Sequence, residues 1–306
     1  MITALIVVTI AAAVTGGGVW LVRRAQHLTP LEAIPAGSTV AVRPFSHVFL
    51  IVLENKSEHD IIGSPTAPYL NSLIEQYGLA NDYQGVAHPS QPNYLAVFSG
   101  STQEVFDDEV HDVSAPNIAD QLEAAGRTWR VFAENLPGGP CFTGASASDG
   151  PDGPGVYARK HNPAVSFTSI STSPDRCGNI QPLAAFDPAA ADFQLIVPNM
   201  CHTMHDCPVA DGDGWLRDFV PSILESSTWM NDGVLFITFD EGADKSRQNE
   251  VPTLVIAPDV AAGMRSGVAH NHYSLLRTIQ IGLGVPCLAE SCHANTMGEF
   301  FRPQAL

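Results

Sequence analysis

The chain has 306 residues, 45% of them hydrophobic, which is enough for one large domain with a full core and too apolar for a disordered chain. Its 15 basic and 32 acidic residues give a net charge of −17, which argues against nucleic-acid binding by counterion release. Charged residues make up only 15%, so the acidity reflects scarce bases, with lysine at Lys56, Lys160 and Lys245 alone, rather than an acidic tail.

The segment Ile2–Val22 is uncharged and almost wholly apolar, and Arg23-Arg24 closes it. At helical rise it is long enough to cross a bilayer, so residues 1–24 are expected to be a transmembrane anchor or signal segment. Basic residues after the apolar run would put the following domain in the cytoplasm by the positive-inside rule. The cysteines argue the other way. There are six, an even number that suits an oxidising compartment, and no CxxC spacing suggests zinc. Cys201/Cys207 and Cys287/Cys292 are sequence neighbours that can each close a short loop, which leaves Cys141/Cys177 as the third pair among several possible connectivities. The expectation is therefore an extracytoplasmic domain, secreted or held at a membrane by its N-terminal segment. A start that lacks its basic leader region would account for the flanking charges.

Residues 25–44 are polar and carry Pro30, Pro35, Gly37 and Pro44, which reads as a linker, and the domain is expected over 45–306. His47–Leu53 contains the unbroken run VFLIVL, as in a strand buried on both faces of a parallel sheet. Trp129–Ala133, Phe193–Val197, Val234–Phe239 and Val251–Ala257 read likewise. Helical patterns fall between them, at about Pro68–Tyr77, Pro92–Phe98, Asn117–Ala125, Trp215–Ser226 and Tyr273–Leu283. Alternating strands and helices predict a layered α/β domain with a mainly parallel sheet. Residues 138–192, rich in Gly, Pro, Ser and Asp, read as an insertion held by a disulfide.

In open α/β sheets ligands bind beyond the carboxyl ends of the strands. The predicted strands end in Glu54-Asn55, Glu134-Asn135, Pro198-Asn199 with His202, His205 and Asp206 just after it, and Asp240-Glu241. Any one of these is also an ordinary loop or capping residue. Together they make a hard-cation site, for which a divalent metal is the simplest partner. The segment His88-Pro89-Ser90-Gln91-Pro92-Asn93-Tyr94 opens a helix. Ser90 there is either a helix N-cap or a metal-bound nucleophile at a helix N-terminus, with Asn93 donating to a phosphoryl oxygen.

These residues carry a family likeness. Leu53-Glu54-Asn55-Lys56-Ser57, His88–Gly100, Tyr157–Pro163, Val197-Pro198-Asn199, Met204-His205-Asp206, Gly212–Leu216, Phe239-Asp240-Glu241 and His272–Thr278 follow one another in order. In this the chain resembles the bacterial phosphoesterase family of acid phosphatases and non-specific phospholipases C, within the alkaline-phosphatase-like superfamily. It is most similar to the short secreted acid phosphatase branch. The resemblance implies a three-layer sandwich and a phosphoesterase catalytic domain over 45–306. It implies that Glu54, Asn55, Ser90, Asp240 and Glu241 bind a divalent metal, whether calcium, magnesium, manganese, zinc or iron. Ser90 would be the nucleophile, Asn93 would hold a non-bridging oxygen, and Lys160, His161 and His205 would line the phosphate pocket. One of these histidines, or His272, would protonate the leaving oxygen, and His88 would position the Ser90 loop or serve only as a loop residue.

One position departs from the family pattern. Thr203 stands where the family has an aspartate, two residues before His205, so His202 or Asp206 must substitute or this half of the site is weaker. Asp211 and Asp213 are further candidates there. The expected activity is phosphomonoester hydrolysis through a phosphoserine, on a small phosphoester or phospholipid-type substrate. A phospholipase C-type diesterase is the alternative enzyme, and a non-catalytic, membrane-tethered binding module the alternative of another kind.

Overall fold

The computed structural model describes residues 41–138, 141–150, 153–243 and 248–301. The predicted anchor and most of the predicted linker lie outside the described residues. Among the described residues no helix is long and apolar enough to cross a membrane.

The central sheet has eight strands. In chain order they are β1 (Val48–Leu53), β2 (Gly78–Ala80), β3 (Trp129–Ala133), β4 (Ile180–Pro182), β5 (Phe193–Val197), β6 (Val234–Phe239), β7 (Thr253–Ile256) and β8 (Met264–Ser266). They lie side by side as β8-β2-β7-β6-β1-β5-β3-β4. All pairings are parallel except those of β7, which runs antiparallel to β6 and β2. Every residue of β1, β5, β6 and β7 is buried. Successive side chains on a strand point to opposite faces, so both faces of the sheet are covered and the fold is a three-layer α/β sandwich.

The main helices are α1 (Pro68–Gln76), α2 (Ser90–Ser99), α3 (Ile118–Ala124), α4 (Val209–Phe219) and α5 (His272–Leu283). α1 packs on α4, and α2 packs on α5. All ten residues of α2 are buried, polar ones included, which marks it as a helix enclosed on all sides rather than a surface helix. Its end is set by Gly100, in the left-handed region at φ 75°.

The sequence reading differs from the structure at the edges. β2, β4 and β8 have three residues each and too little periodicity to announce themselves. β4 lies inside the expected 138–192 insertion, so that segment also completes one edge of the sheet. α4 begins at Val209, six residues before the expected start at Trp215, because Gly212 and Gly214 lower its apparent helix propensity. Gly212 is there for space: a Cβ would lie 2.4 Å from Met204 Cγ and 2.8 Å from the His202 carbonyl oxygen. Arg43, assigned to the linker, is buried and pairs through Nε with Asp259 at 2.7 Å, so the folded unit reaches back into residues 41–44. The cysteines pair as Cys141–Cys177, Cys201–Cys207 and Cys287–Cys292.

Candidate active site

β1 and β6 are neighbours, and their carboxyl ends deliver Glu54-Asn55 and Asp240-Glu241 side by side. Asn55 adopts φ 52°, which turns the chain so that its backbone N–H donates to Asp240 Oδ1 at 2.9 Å. The start of α2 supplies Ser90, whose hydroxyl donates to Glu54 Oε2 at 2.9 Å. Asn55 Nδ2 donates to the same Glu54 oxygen at 2.8 Å and lies 3.5 Å from Ser90 Oγ. Pro89 holds the N-cap position and Ser90 is the first helical residue, so its hydroxyl does not cap the helix. Glu54, Asn55, Ser90 and Asp240 thus form one connected cluster, and Glu54, Ser90 and Asp240 are fully buried within it.

The electrostatics of this cluster are unusual. His161 is buried, its ring stacks on Tyr94 at 5.1 Å, and its Nε2 lies 2.8 Å from Glu54 Oε1. Burial pushes Glu54 up, but the His161 charge and the Lys160 charge outweigh it and hold the carboxyl at about 2. Asp240 moves the opposite way: burial and the neighbouring Glu54 and Glu241 charges push it well above the ordinary carboxylate range. Asp240 Oδ2 is buried with no partner. Glu241 is also buried and is contacted by His88 Nδ1. Buried acidic oxygens at adjoining strand ends, with Asp240 Oδ2 unpartnered, form a donor set that suits a divalent cation.

Other predicted residues take different places. Asn93 Oδ1 accepts from the backbone of Val86 at 2.8 Å and Ala87 at 3.0 Å, and its Nδ2 donates to the carbonyls of Ala87 at 2.9 Å and Pro89 at 3.2 Å. Its amide therefore brackets the loop that delivers Ser90, and no hydrogen is left over for a phosphoryl oxygen. His272 is fully buried. Its Nε2 donates to the Asp240 carbonyl at 2.6 Å and its Nδ1 faces Tyr83 Oη at 3.0 Å. Burial pushes it down to about 4. With both nitrogens engaged and no exposure, His272 braces the Asp240 turn from behind.

Lys160 and His161 are adjacent in the chain, and His161 lies near His205. The rings of His161 and His205 are 6.4 Å apart, and His205 Nδ1 lies 2.6 Å from Asp206 Oδ1, with both side chains reaching solvent. Lys160 Nζ donates to Asp108 Oδ2 at 2.7 Å. Gln91, Asp108, Glu109, Lys160, Met200 and Asp206 are among the residues that line a cleft of about 330 Å³. Asp108 and Tyr94 went unread in the sequence: Asp108 sits in an irregular loop, and Tyr94 looks like any buried helix aromatic.

The Thr203 position is clear. Thr203 is fully buried, its hydroxyl donates to the Met200 carbonyl at 3.1 Å, and its own carbonyl accepts from Glu54 N–H at 2.9 Å. It is a structural residue under Glu54. His202 and Asp206 do not replace the missing carboxylate: His202 Nδ1 lies 2.8 Å from both oxygens of Glu134, and Asp206 pairs with His205. Asp213 accepts from Tyr69 N–H at 2.9 Å and Leu70 N–H at 2.8 Å, so it caps α1, and Asp211 is exposed.

The profile of the Phosphoesterase family matches residues 62–286. The chain belongs to the Phosphoesterase family. This phosphoesterase is 33% identical to a phosphatidylinositol-3-phosphatase of Mycobacterium tuberculosis, over 80% of the present chain and 79% of that protein. It is 30% identical to an acid phosphatase of Aspergillus fumigatus, over 83% of this chain and 58% of that one, so it spans less than two thirds of the fungal relative. Among solved structures it is similar to a protein of the alkaline phosphatase superfamily from Vibrio parahaemolyticus, with TM-score 0.54 and 14% identity over 91% of this chain and 75% of that one. A lipoteichoic acid synthase from Listeria monocytogenes matches with TM-score 0.56 and 12% identity over 83% and 79% of the two chains. At these identities the structural likeness concerns the fold alone. The family and the phosphatase relatives make the phosphoesterase a hydrolase of phosphoester bonds.

Proposed function

We propose that this phosphoesterase is a metal-dependent phosphomonoesterase that works through a phosphoserine at Ser90. The observation that carries the reading is the Ser90 hydroxyl, fixed at the start of a buried helix 2.9 Å from Glu54, in a carboxylate cluster that leaves Asp240 Oδ2 buried and unpartnered. Glu54, Asn55, Ser90, Asp240 and Glu241 would hold the ion. When bound, a divalent cation favours the Ser90 alkoxide and offsets charge on the transferring phosphoryl group.

The side chains then divide the work. Ser90 Oγ, passing its proton along its hydrogen bond to Glu54 Oε2, forms the bond to phosphorus as the bond to the leaving oxygen breaks. Lys160, on the cleft wall, and His161, beside Glu54, attract the phosphoryl oxygens. His205 reaches solvent and is oriented by Asp206, which suits it to give the leaving oxygen its proton and then to take one from the water that hydrolyses the phosphoserine. An acid that must be protonated favours a mildly acidic optimum. Asn93 and His272 serve as positioning residues, the first for the Ser90 loop and the second for the Asp240 turn. The relatives named acid phosphatase and phosphatidylinositol-3-phosphatase support a monoester substrate. Three disulfides support an extracytoplasmic, oxidising setting. The membrane tether read from the sequence falls on residues 1–24, outside the described residues.

The test is hydrolysis of p-nitrophenyl phosphate and of bis-p-nitrophenyl phosphate from about pH 4 to about pH 9, with and without EDTA, beside Ser90→Ala. Monoester turnover abolished by EDTA and by the substitution is expected. Preference for the diester would move the assignment to a phospholipase C-type enzyme. Absence of turnover with every added divalent metal would leave the binding-module reading.

A further inference from the structure

We propose that Asp108 is a positioning residue of this site, tying the Lys160 ammonium to the N-terminus of the helix that carries Ser90. The inference rests on the phosphomonoesterase reading above. Asp108 lies in an irregular loop, yet both carboxylate oxygens are committed. Oδ1 accepts from the backbone N–H of Gln91 at 2.9 Å and Oδ2 accepts from Lys160 Nζ at 2.7 Å. The Gln91 N–H follows directly on Ser90 and belongs to the first turn of α2, whose N–H groups have no partner within the helix. A carboxylate there is favoured by the helix dipole as well as by the bond. One side chain thereby sets the distance between the nucleophile's helix and a cation on the cleft wall.

The same loop grips the Lys160 segment a second time. Arg159 is buried, and its Nη2 donates to Asp112 Oδ1 at 2.7 Å and to the His111 carbonyl at 3.1 Å. Residues 108–112 thus clamp residues 159–160, and the following His161 is the residue that meets Glu54. Lys160 has a long, flexible stem, and Asp108 is the carboxylate that its ammonium bonds, at 2.7 Å. Asp108 holds the ammonium where an incoming phosphoryl group meets it. A carboxylate in a phosphate pocket repels substrate, and only such a holding role offsets that cost.

The experiment uses the full chain and p-nitrophenyl phosphate, with Asp108→Asn, Asp108→Glu, Lys160→Met and the Asp108→Asn/Lys160→Met double variant, folding being checked by far-UV circular dichroism. Asparagine still accepts from the Gln91 N–H but cannot hold Lys160 through its amide nitrogen. The expected result is a fall of about tenfold or more in kcat for Asp108→Asn with KM changed less than about threefold. Asp108→Glu should recover part of kcat, and the double variant should be no slower than Lys160→Met, as for two residues acting as one unit. Retained kcat with a lower KM and tighter inhibition by inorganic phosphate would make Asp108 a competitor of substrate and overturn the role. Losses that multiply in the double variant would overturn it too. A parent enzyme without Ser90-dependent turnover would overturn the underlying reading and this role with it, whereas an active parent with an unaffected Asp108→Asn overturns this role alone.

Discussion

Replacing His272 by Phe separates a brace from an acid. His272 Nε2 donates to the Asp240 carbonyl at 2.6 Å, and, since the ring is neutral above about pH 4, Nδ1 accepts from Tyr83 Oη at 3.0 Å. Phenylalanine keeps most of the volume, so little cavity forms. It leaves the buried Asp240 carbonyl without its donor and takes from the buried Tyr83 hydroxyl its imidazole acceptor, with Thr238 still beside that hydroxyl; an unsatisfied buried group costs about 1–3 kcal/mol. The expected loss is about 3 kcal/mol of stability, or a fall of roughly 6–12 °C in Tm for a domain of this size. Urea unfolding at neutral pH measures the first quantity and a thermal melt the second. Catalysis should fall because the Asp240 turn loosens, and the limbs of the pH–rate profile should keep their positions. A variant with unchanged stability whose alkaline limb vanished would refute the reasoning, because that is the signature of a lost general acid.

Thr203→Asp should lower stability by several kcal/mol without tightening metal binding, because its carboxylate would face the Met200 carbonyl in a fully buried position; calorimetric metal titration and melting read the two effects. Gly212→Ala should cost about 1–3 kcal/mol in urea unfolding, since the new methyl meets Met204 Cγ at 2.4 Å and the His202 carbonyl at 2.8 Å. Glu58 is pushed up to about 7 by burial first and then by the Glu250 and Asp82 charges. The folded state therefore holds that proton from about 4.5 to about 7 while the unfolded state has lost it, so stability falls as pH rises through that window. Glu58→Gln should raise stability above pH 7 by about 1 kcal/mol, after discounting for solvent screening, and leave it unchanged below about pH 4.5; a gain of equal size at both pH values would contradict the assignment.

The strands that carry the site were legible because they are buried on both faces. Trp129–Ala133, Phe193–Val197 and Val234–Phe239 show as uninterrupted apolar runs and occur at those residues in the structure. The carboxylates that end β1 and β6 could be placed on one sheet edge from the sequence because they directly follow such runs. The edge strands were not legible: Gly78–Ala80 and Met264–Ser266 are too short to show a period. The helix Val209–Phe219 was obscured by glycines that serve close packing instead of flexibility. Long-range backbone partners near the site are what the sequence does not show: the Asp240 carbonyl beside His272, and the backbone of residues 86–89 that the Asn93 amide brackets. Asp108 acts through partners 17 and 52 residues away, and no local pattern carries that information.

The central claim is that Ser90 takes the phosphoryl group. The most direct measurement is a rapid acid quench of the enzyme turning over p-nitrophenyl phosphate, followed by peptide mass spectrometry. The account predicts a phosphorylated peptide with the modification on Ser90, absent in Ser90→Ala and absent without substrate. Steady turnover with no phosphorylated Ser90 at any quench time, or turnover that survives Ser90→Ala, would contradict it.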